Sequence, residues 1–520
     1  MTSKTLISFV FIFSYFLSIA QSSDFKIVRG PEYEGKRSTI ESVIGNTEEG
    51  VIVCRKEKKD MFLEILSSKA TVVKSVSLSG LTYKKLEKDF VGGFIIGGNL
   101  YLRFSARDKK AKMLYTFIDK YNIQTLAFEE NVRQEEIDLE ASKSVYWYGI
   151  GLGRALSEYG ENGFHKSNDS KYIVEYSSDF EKDKDTPENL TVSVFDSNMK
   201  EMWKKEYKMP YSNDNFQIVK VIADDFGNTH LLGKEYPEGR KKSKRGEQNY
   251  KYHVISFLDK GATMKDNVLD LNTKFITDCT IGITNDQHLL TTGFYSNKGM
   301  FSIDGAFSMT VDLRTQKVLG SNVKEFEKEF IQMGMTDREK KKSDRKEEKG
   351  KDLEMPEFDL DHLVLLPDGG WVLLAEQFYI TEKTFTTTSP NGGTSTRTVT
   401  YFHYDDIIAV KMTSTGEIEW NAKITKNQSA SGYLTILSYL WNYCENEFQI
   451  VYNSAPMHKE NDVKVAKIDN SGSVTISTLM EGGKDELNIH PAYSSRLGDC
   501  NMLLYGAKKK TYQFNFVSKK

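Results

Sequence analysis

Residues 223–236, ADDFGNTHLLGKEY, and residues 252–271, YHVISFLDKGATMKDNVLDL, set the pattern for the whole chain. A polar turn leads into an apolar strand, and after a loop come a second strand, an Asp-led turn and a third strand. Residues 285–296, NDQHLLTTGFYS, and 307–323, FSMTVDLRTQKVLGSNV, repeat the phrase, which recurs seven times along the chain. Self-similarity at such a period marks a repeat architecture.

Aligning the turns gives the register. They open at Ser67, Asp119, Asp196, Asp259, Asp312, Thr413 and Asp469, with spacings of 52, 53 and 56 where no insertion intervenes. Each is flanked by runs rich in Val, Ile, Phe and Tyr, such as residues 190–196 (LTVSVFD) and 407–413 (IIAVKMT), patterned as pleated strands. A further strand precedes several copies, among them 216–223 (FQIVKVIA), 275–283 (FITDCTIGI), 361–367 (DHLVLLP) and 433–441 (YLTILSYLW). Each unit is therefore a four-stranded antiparallel meander. Units of this kind set around a centre are the blades of a β-propeller, whose radial repetition protects the sheet edges. Residues 494–518 supply three strands of a last unit, and the isolated strand at 24–30, DFKIVRG, can supply the fourth. The expected fold class is all-β: a single β-propeller of eight four-stranded blades, or seven as the alternative, its ring closed by the N-terminal strand. The one helix expected is Val323–Met335, with Val323, Phe326, Phe330 and Met333 on one face.

Before the repeats, Lys4 precedes an apolar run from Leu6 to Leu17, and Ser18-Ile19-Ala20 offers a small-residue cleavage site. Residues 1–20 read as a signal peptide and 21–520 as the propeller, secreted or periplasmic. No later stretch approaches ~18 apolar residues, so no transmembrane segment is expected. Without Lys4 the chain keeps 69 of its 70 basic residues against 73 acidic ones, which gives no reason to expect a nucleic-acid partner. Cys54, Cys279, Cys444 and Cys500 lack the close pairing of a zinc site. They are expected as buried free thiols, with Cys444 and Cys500 neighbours in successive repeats.

Loop length points to a working face. With the strands of a unit lettered A to D, the A–B and C–D turns are short and rich in Asp, Asn and Gly. The B–C and D–A connections hold the charged or polar insertions near 129–164, 234–251, 324–357 and 381–403, and they emerge together at one end. Loops on a rigid scaffold carry function, so the site belongs there. Its candidate binding residues are the aromatics Tyr146, Trp147 and Tyr148, and the basic cluster Arg240, Lys241, Lys242, Lys244 and Arg245, suited to an anionic polymer. Residues 338–352, REKKKSDRKEEKGKD, mix both signs and read as a disordered linker. Glu357, Asp359 and Asp361 alternate along a strand and would share a face, so they are the metal candidates, although full oxygen coordination needs more ligands. Trp203 and Trp420, each seven residues after a turn opener, read as blade-to-blade packing residues.

No nucleophile elbow, zinc helix or phosphate loop is present, and the eight histidines are scattered. Phrases such as residues 223–233 (ADDFGNTHLLG) and 365–379 (LLPDGGWVLLAEQFY) resemble those of secreted bacterial β-propeller repeat proteins. That resemblance implies the architecture and an envelope or secreted setting, and is silent on activity. With only five Trp residues the chain departs from the quinoprotein dehydrogenase propellers, and no cofactor is expected. The reading is a monomeric, non-enzymatic binding or scaffold propeller that holds a protein or polysaccharide partner on its long-loop face. The alternative is a polysaccharide hydrolase or lyase whose site is assembled from several blades.

Overall fold

The computed structural model describes residues 24–520 except 35–37, 139–163, 180–186, 213–214, 238, 240–248, 298, 300–301, 349–353, 389–393, 433, 457–460, 483–486, 499 and 509. Residues 1–20 thus lie outside the described residues. Among the described residues, eight sheets of four or more strands follow one another, spanning residues 38–77, 89–138, 164–212, 216–268, 275–325, 359–430, 440–480 and 488–519, and two two-stranded ribbons accompany them. They are numbered 1 to 8 here. Each is an antiparallel meander, and the architecture is that of a β-propeller.

Burial follows strand position. The B and C strands are covered on both faces and read as near-continuous apolar runs; Lys251–Leu258 is buried at every position after the first. The D strands are half covered, and Thr263–Val268 is almost wholly exposed. Between neighbouring sheets lie shared apolar clusters. Trp371, Leu373 and Val410 of sheet 6 meet Leu290, Phe294 and Ala306 of sheet 5. Sheet 8 meets sheet 1 in the same way, through Leu503, Tyr505 and Phe514 against Ile40, Val53 and Leu66. The N-terminal strand Phe25–Arg29 pairs with Thr511–Lys519, from Phe25↔Lys519 to Arg29↔Asn515, and so serves as the outer strand of sheet 8.

Both tryptophans pack between sheets. Trp203 of sheet 3 is 9% exposed and its Nε1 donates to the Gly227 carbonyl in the A–B turn of sheet 4 (3.0 Å). Trp420 of sheet 6 covers the C–D turn of sheet 7, where Gly472 has φ +81° and a Cβ would come within 2.9 Å of the Trp420 Cβ. A side chain there meets both a left-handed backbone and the ring system, so glycine is required.

Several expectations are corrected. The turn assigned to Asp119 opens at Asn122, whose Oδ1 accepts from the Gln124 and Thr125 backbone N–H groups. Asp119 sits inside strand Met113–Tyr121, where its carboxylate takes the Lys88 ammonium at 2.9 Å. In 433–441 the strand starts only at Leu440, because Leu434–Ile436 forms a 3-10 turn. The helix expected at Val323–Met335 shrinks to α1 (Lys328–Ile331), since Val323 still belongs to the D strand Val318–Glu325. The segment read as a disordered linker contains α2 (Asp337–Glu347). Its first turn is fixed by a reciprocal cap, the Thr336 backbone N–H donating to Glu339 Oε2 (2.8 Å) and the Glu339 N–H to Thr336 Oγ1 (3.4 Å).

Cys444 and Cys500 are not free thiols but a disulfide with Cα atoms 5.0 Å apart, joining the A–B turns of sheets 7 and 8; Cys54 and Cys279 are free and buried. The insertions are also narrower than their expected bounds. Phe128–Asp138 is the D strand of sheet 2, and Tyr250 is 6% exposed within the core of sheets 4 and 5. The stretch 381–403 extends the B and C strands of sheet 6 into a two-stranded ribbon paired from Thr381↔Tyr401 to Thr388↔Thr394.

Candidate functional site

The long-loop end of sheets 4, 5 and 6 gathers ionisable groups from three sheets. From sheet 4 comes Lys234, near the end of strand Thr229–Glu235. Its ammonium lies 3.5 Å from the ring centre of Tyr250, 5.0 Å from Tyr252 and 6.0 Å from Tyr236. Ring faces attract a cation more strongly once it is withdrawn from water. Burial nonetheless dominates here and lowers the Lys234 pKa, against the opposing pull of Asp278, Cys279 and Glu357.

Sheet 5 supplies Asp278 from its inner strand Phe275–Ile283, where the register slips between Ile276 and Asp278. A bulge re-aims the side chain beside it. Asp278 Oδ2 accepts the Leu360 backbone N–H of sheet 6 (2.9 Å), while Oδ1 accepts the Cys279 N–H (2.9 Å). The carboxylate therefore ties two inner strands together. Burial still pushes its pKa up to about 6, with Asp359 adding repulsion and the Leu360 N–H and Lys234 opposing.

Glu357 lies just before strand Asp359–Leu365 of sheet 6. The residue is exposed, yet its carboxyl is pushed up to about 7, first by loss of solvent around the acid group and then by Asp359 and Asp278. The two observations agree if the glutamate is open along its stem while its head is crowded by the cluster. Both acids are thus held above the ordinary carboxylate range, where one can hold a proton while the other accepts one.

The three metal candidates divide. Alternation would set Glu357, Asp359 and Asp361 on one face, but the strand slips register between Leu360 and His362. Asp361 Oδ2 instead accepts the hydroxyl of Tyr439, just before sheet 7 (3.0 Å), whereas Asp359 acts on Asp278 and both act on Glu357. Among the described residues no group of three or more His, Cys, Asp or Glu is placed to hold a metal ion. Tyr146, Trp147 and Tyr148, and Arg240, Lys241, Lys242, Lys244 and Arg245, lie outside the described residues.

Lys234 and Asp278 do not stand out in the sequence. The one signal is a lone acid in the otherwise apolar stretch FITDCTIGI. A second constellation looks more like catalysis and is not. His230 bonds Ser256 Oγ through Nδ1 (2.8 Å) and Asp224 Oδ2 through Nε2 (3.2 Å), the residue types of a hydrolytic triad with the two ring nitrogens exchanged. His230 and Asp224 are 0% and Ser256 2% exposed, at the short-turn end of sheet 4, so no substrate reaches them. This is a structural tie between a turn and two strands.

No family model and no curated protein sequence matches the chain. Solved structures similar to it include the Dos1 propeller, at 8% identity over 95% of both chains with a TM-score of 0.40. Another is an ulvan lyase from a new polysaccharide lyase family, at 10% identity over 81% of this chain and 90% of that one, TM-score 0.36. A third is prolyl oligopeptidase B from Galerina marginata, at 7% identity over 92% of this chain and 55% of that one, TM-score 0.40. At such values the assignment of the fold rests on the sheets themselves.

Proposed function

We propose that the protein is a secreted or periplasmic binding propeller of eight blades that holds a polysaccharide on its long-loop face. The observation that carries this reading is the cluster of Lys234, Tyr236, Asp278 and Glu357, at the end where the long connections emerge. Carboxyl, hydroxyl and ammonium groups around aromatic faces match the alternating hydroxyl and apolar faces of sugars. Support for a closed ring comes from the pairing of Phe25–Arg29 with the last strand and from the cluster shared by sheets 8 and 1. An oxidising compartment is supported by the Cys444–Cys500 disulfide and by the signal-like first twenty residues.

A second reading, a polysaccharide hydrolase or lyase, is favoured by one observation: Glu357 at about 7 stands beside Asp278 at about 6. A screen of immobilised and soluble glycans, with reducing ends and unsaturated products followed over hours, separates the two. Retention without turnover, weakened in Glu357→Gln and Tyr236→Ala, is the expected result. Turnover that disappears in Glu357→Gln would establish the enzyme instead. A panel in which no glycan is retained would end both readings.

A further inference from the structure

The sequence of α2, DREKKKSDRKE, carries both signs, but the helix sorts them. Arg338, Lys341, Lys342 and Arg345 stand at positions i, i+3, i+4 and i+7, which places all four on one side. Ser343, on the opposite side, is 7% exposed. Two acidic side chains fasten the helix down: Asp344 takes the Lys328 ammonium (2.9 Å) and the Gln332 amide (2.8 Å), and Glu339 closes the cap at Thr336. Next to this connection, Phe326, Phe330 and Ile331 are sunk in the core of sheets 5 and 6. The helix is thus anchored at the long-loop end with its cations outward.

Those four side chains and Asp337 line an open recess. All four cations are exposed, and none forms an ion pair among the described residues. The cationic face stands out on a chain whose net charge is −3. It runs about 10 Å along the axis, from one guanidinium to another with two ammonium groups between. Arginine forks clasp carboxylates and sulfates bidentately, and lysines add point charges. A row of exposed cations with no enclosing wall suits a repeating anion better than a single small one.

We propose that α2 is the docking strip for an anionic polysaccharide, one bearing carboxylate or sulfate groups along its length. This deepens the reading of the long-loop face and rests on it. A membrane surface is disfavoured because α2 contains no aromatic or aliphatic residue to enter the headgroup layer. A nucleic acid is disfavoured by the disulfide, which belongs to an oxidising compartment.

The test uses the full chain with polygalacturonate and dextran sulfate as probes, and neutral dextran, phosphatidylglycerol vesicles and single-stranded DNA as the other arms. A variant with Arg338→Gln, Lys341→Gln, Lys342→Gln and Arg345→Gln keeps good helix formers at every changed position, and its unfolding midpoint reports that the fold is retained. The expected result is binding to the two anionic glycans that weakens as salt rises, and falls about tenfold or more in the quadruple variant. If the quadruple variant binds them as the wild type does while Glu357→Gln does not, the strip is refuted and the polysaccharide reading stands. Equal binding to neutral dextran refutes the anionic class alone. Binding to vesicles or DNA with no glycan retained overturns both.

Discussion

Two carboxylates at each end of the sheets are treated in opposite ways. At the short-turn end, Asp312 is held below its ordinary range by the Thr315 backbone N–H and hydroxyl, and Asp469 by the Ser471 hydroxyl and the Ser471 and Ser473 N–H groups. These aspartates are spent on turns, since each closes the backbone over its own side chain. At the long-loop end, Asp278 and Glu357 are pushed up first by burial and then by Asp359, with Asp278 pressing on Glu357 as well. A protein gains stability from the first arrangement and gives some up for the second. Groups held at an energetic disadvantage are the expected mark of a working surface.

The largest expected break in that comparison lies at the short-turn end. Asp224 accepts the Phe226 and Asn228 backbone N–H groups and meets His230, the carboxylate and the imidazole both fully buried. Asp224→Ala leaves the imidazole and two N–H groups without their partner, and is expected to cost about 3–5 kcal/mol. Urea unfolding measures this, and a loss below ~1 kcal/mol would mean that the turn does not depend on its carboxylate. Its pKa is lowered, because the His230 and Asn228 bonds outweigh burial. The stability it contributes is therefore present above the ordinary aspartate range and fades as pH falls through the depressed value.

Next in size is the disulfide. It closes a loop with a sequence separation of 56 and ties sheet 8, which takes a strand from each chain terminus, to sheet 7. Cys444→Ser with Cys500→Ser is expected to cost about 2–4 kcal/mol. Glycan binding should be unchanged at temperatures where the double variant is folded. A thermal midpoint indifferent to reductant in the wild type would show that the bridge does not stabilise sheet 8.

Legibility in the sequence divides along the same line. Short turns are written in Asp, Asn and Gly, and strands in Val, Ile, Tyr and Phe, so residue order alone reveals the meanders and the lone strand at 24–30. One turn is misplaced by that reading because Asp119 and Asn122 both suit a turn opener; which of them serves depends on Lys88, which holds Asp119 inside the strand. Bulges leave no residue signature here. The slips between Ile276 and Asp278 and between Leu360 and His362 redirect acids that simple alternation would misassign. The Cys444–Cys500 bond depends on the angle between two sheets, not on spacing in the chain. Likewise α2 shows mixed charge in linear order, and only its 3.6-residue turn separates the signs.

The smallest stability effect, and the most diagnostic, belongs to Glu357. Its folded pKa of about 7 lies above the ordinary 4.5, so the folded chain binds a proton more tightly than the unfolded one. Where the native state holds more protons, stability falls as pH rises, here across the window from about 4.5 to 7. The side chain is exposed, so the effect is screened and modest. Glu357→Gln removes the proton and with it this part of the pH dependence, so the variant should match the wild type near pH 4.5 and be slightly more stable near pH 8. The same variant should weaken glycan retention most near pH 8, because the amide lacks the charged acceptor that the ionised acid presents there. Parallel stability curves for the two proteins across that window would show that the cluster does not press on Glu357. The contrast between the ends would then rest on Asp278 alone, whose two backbone bonds make it as much a structural tie as a site.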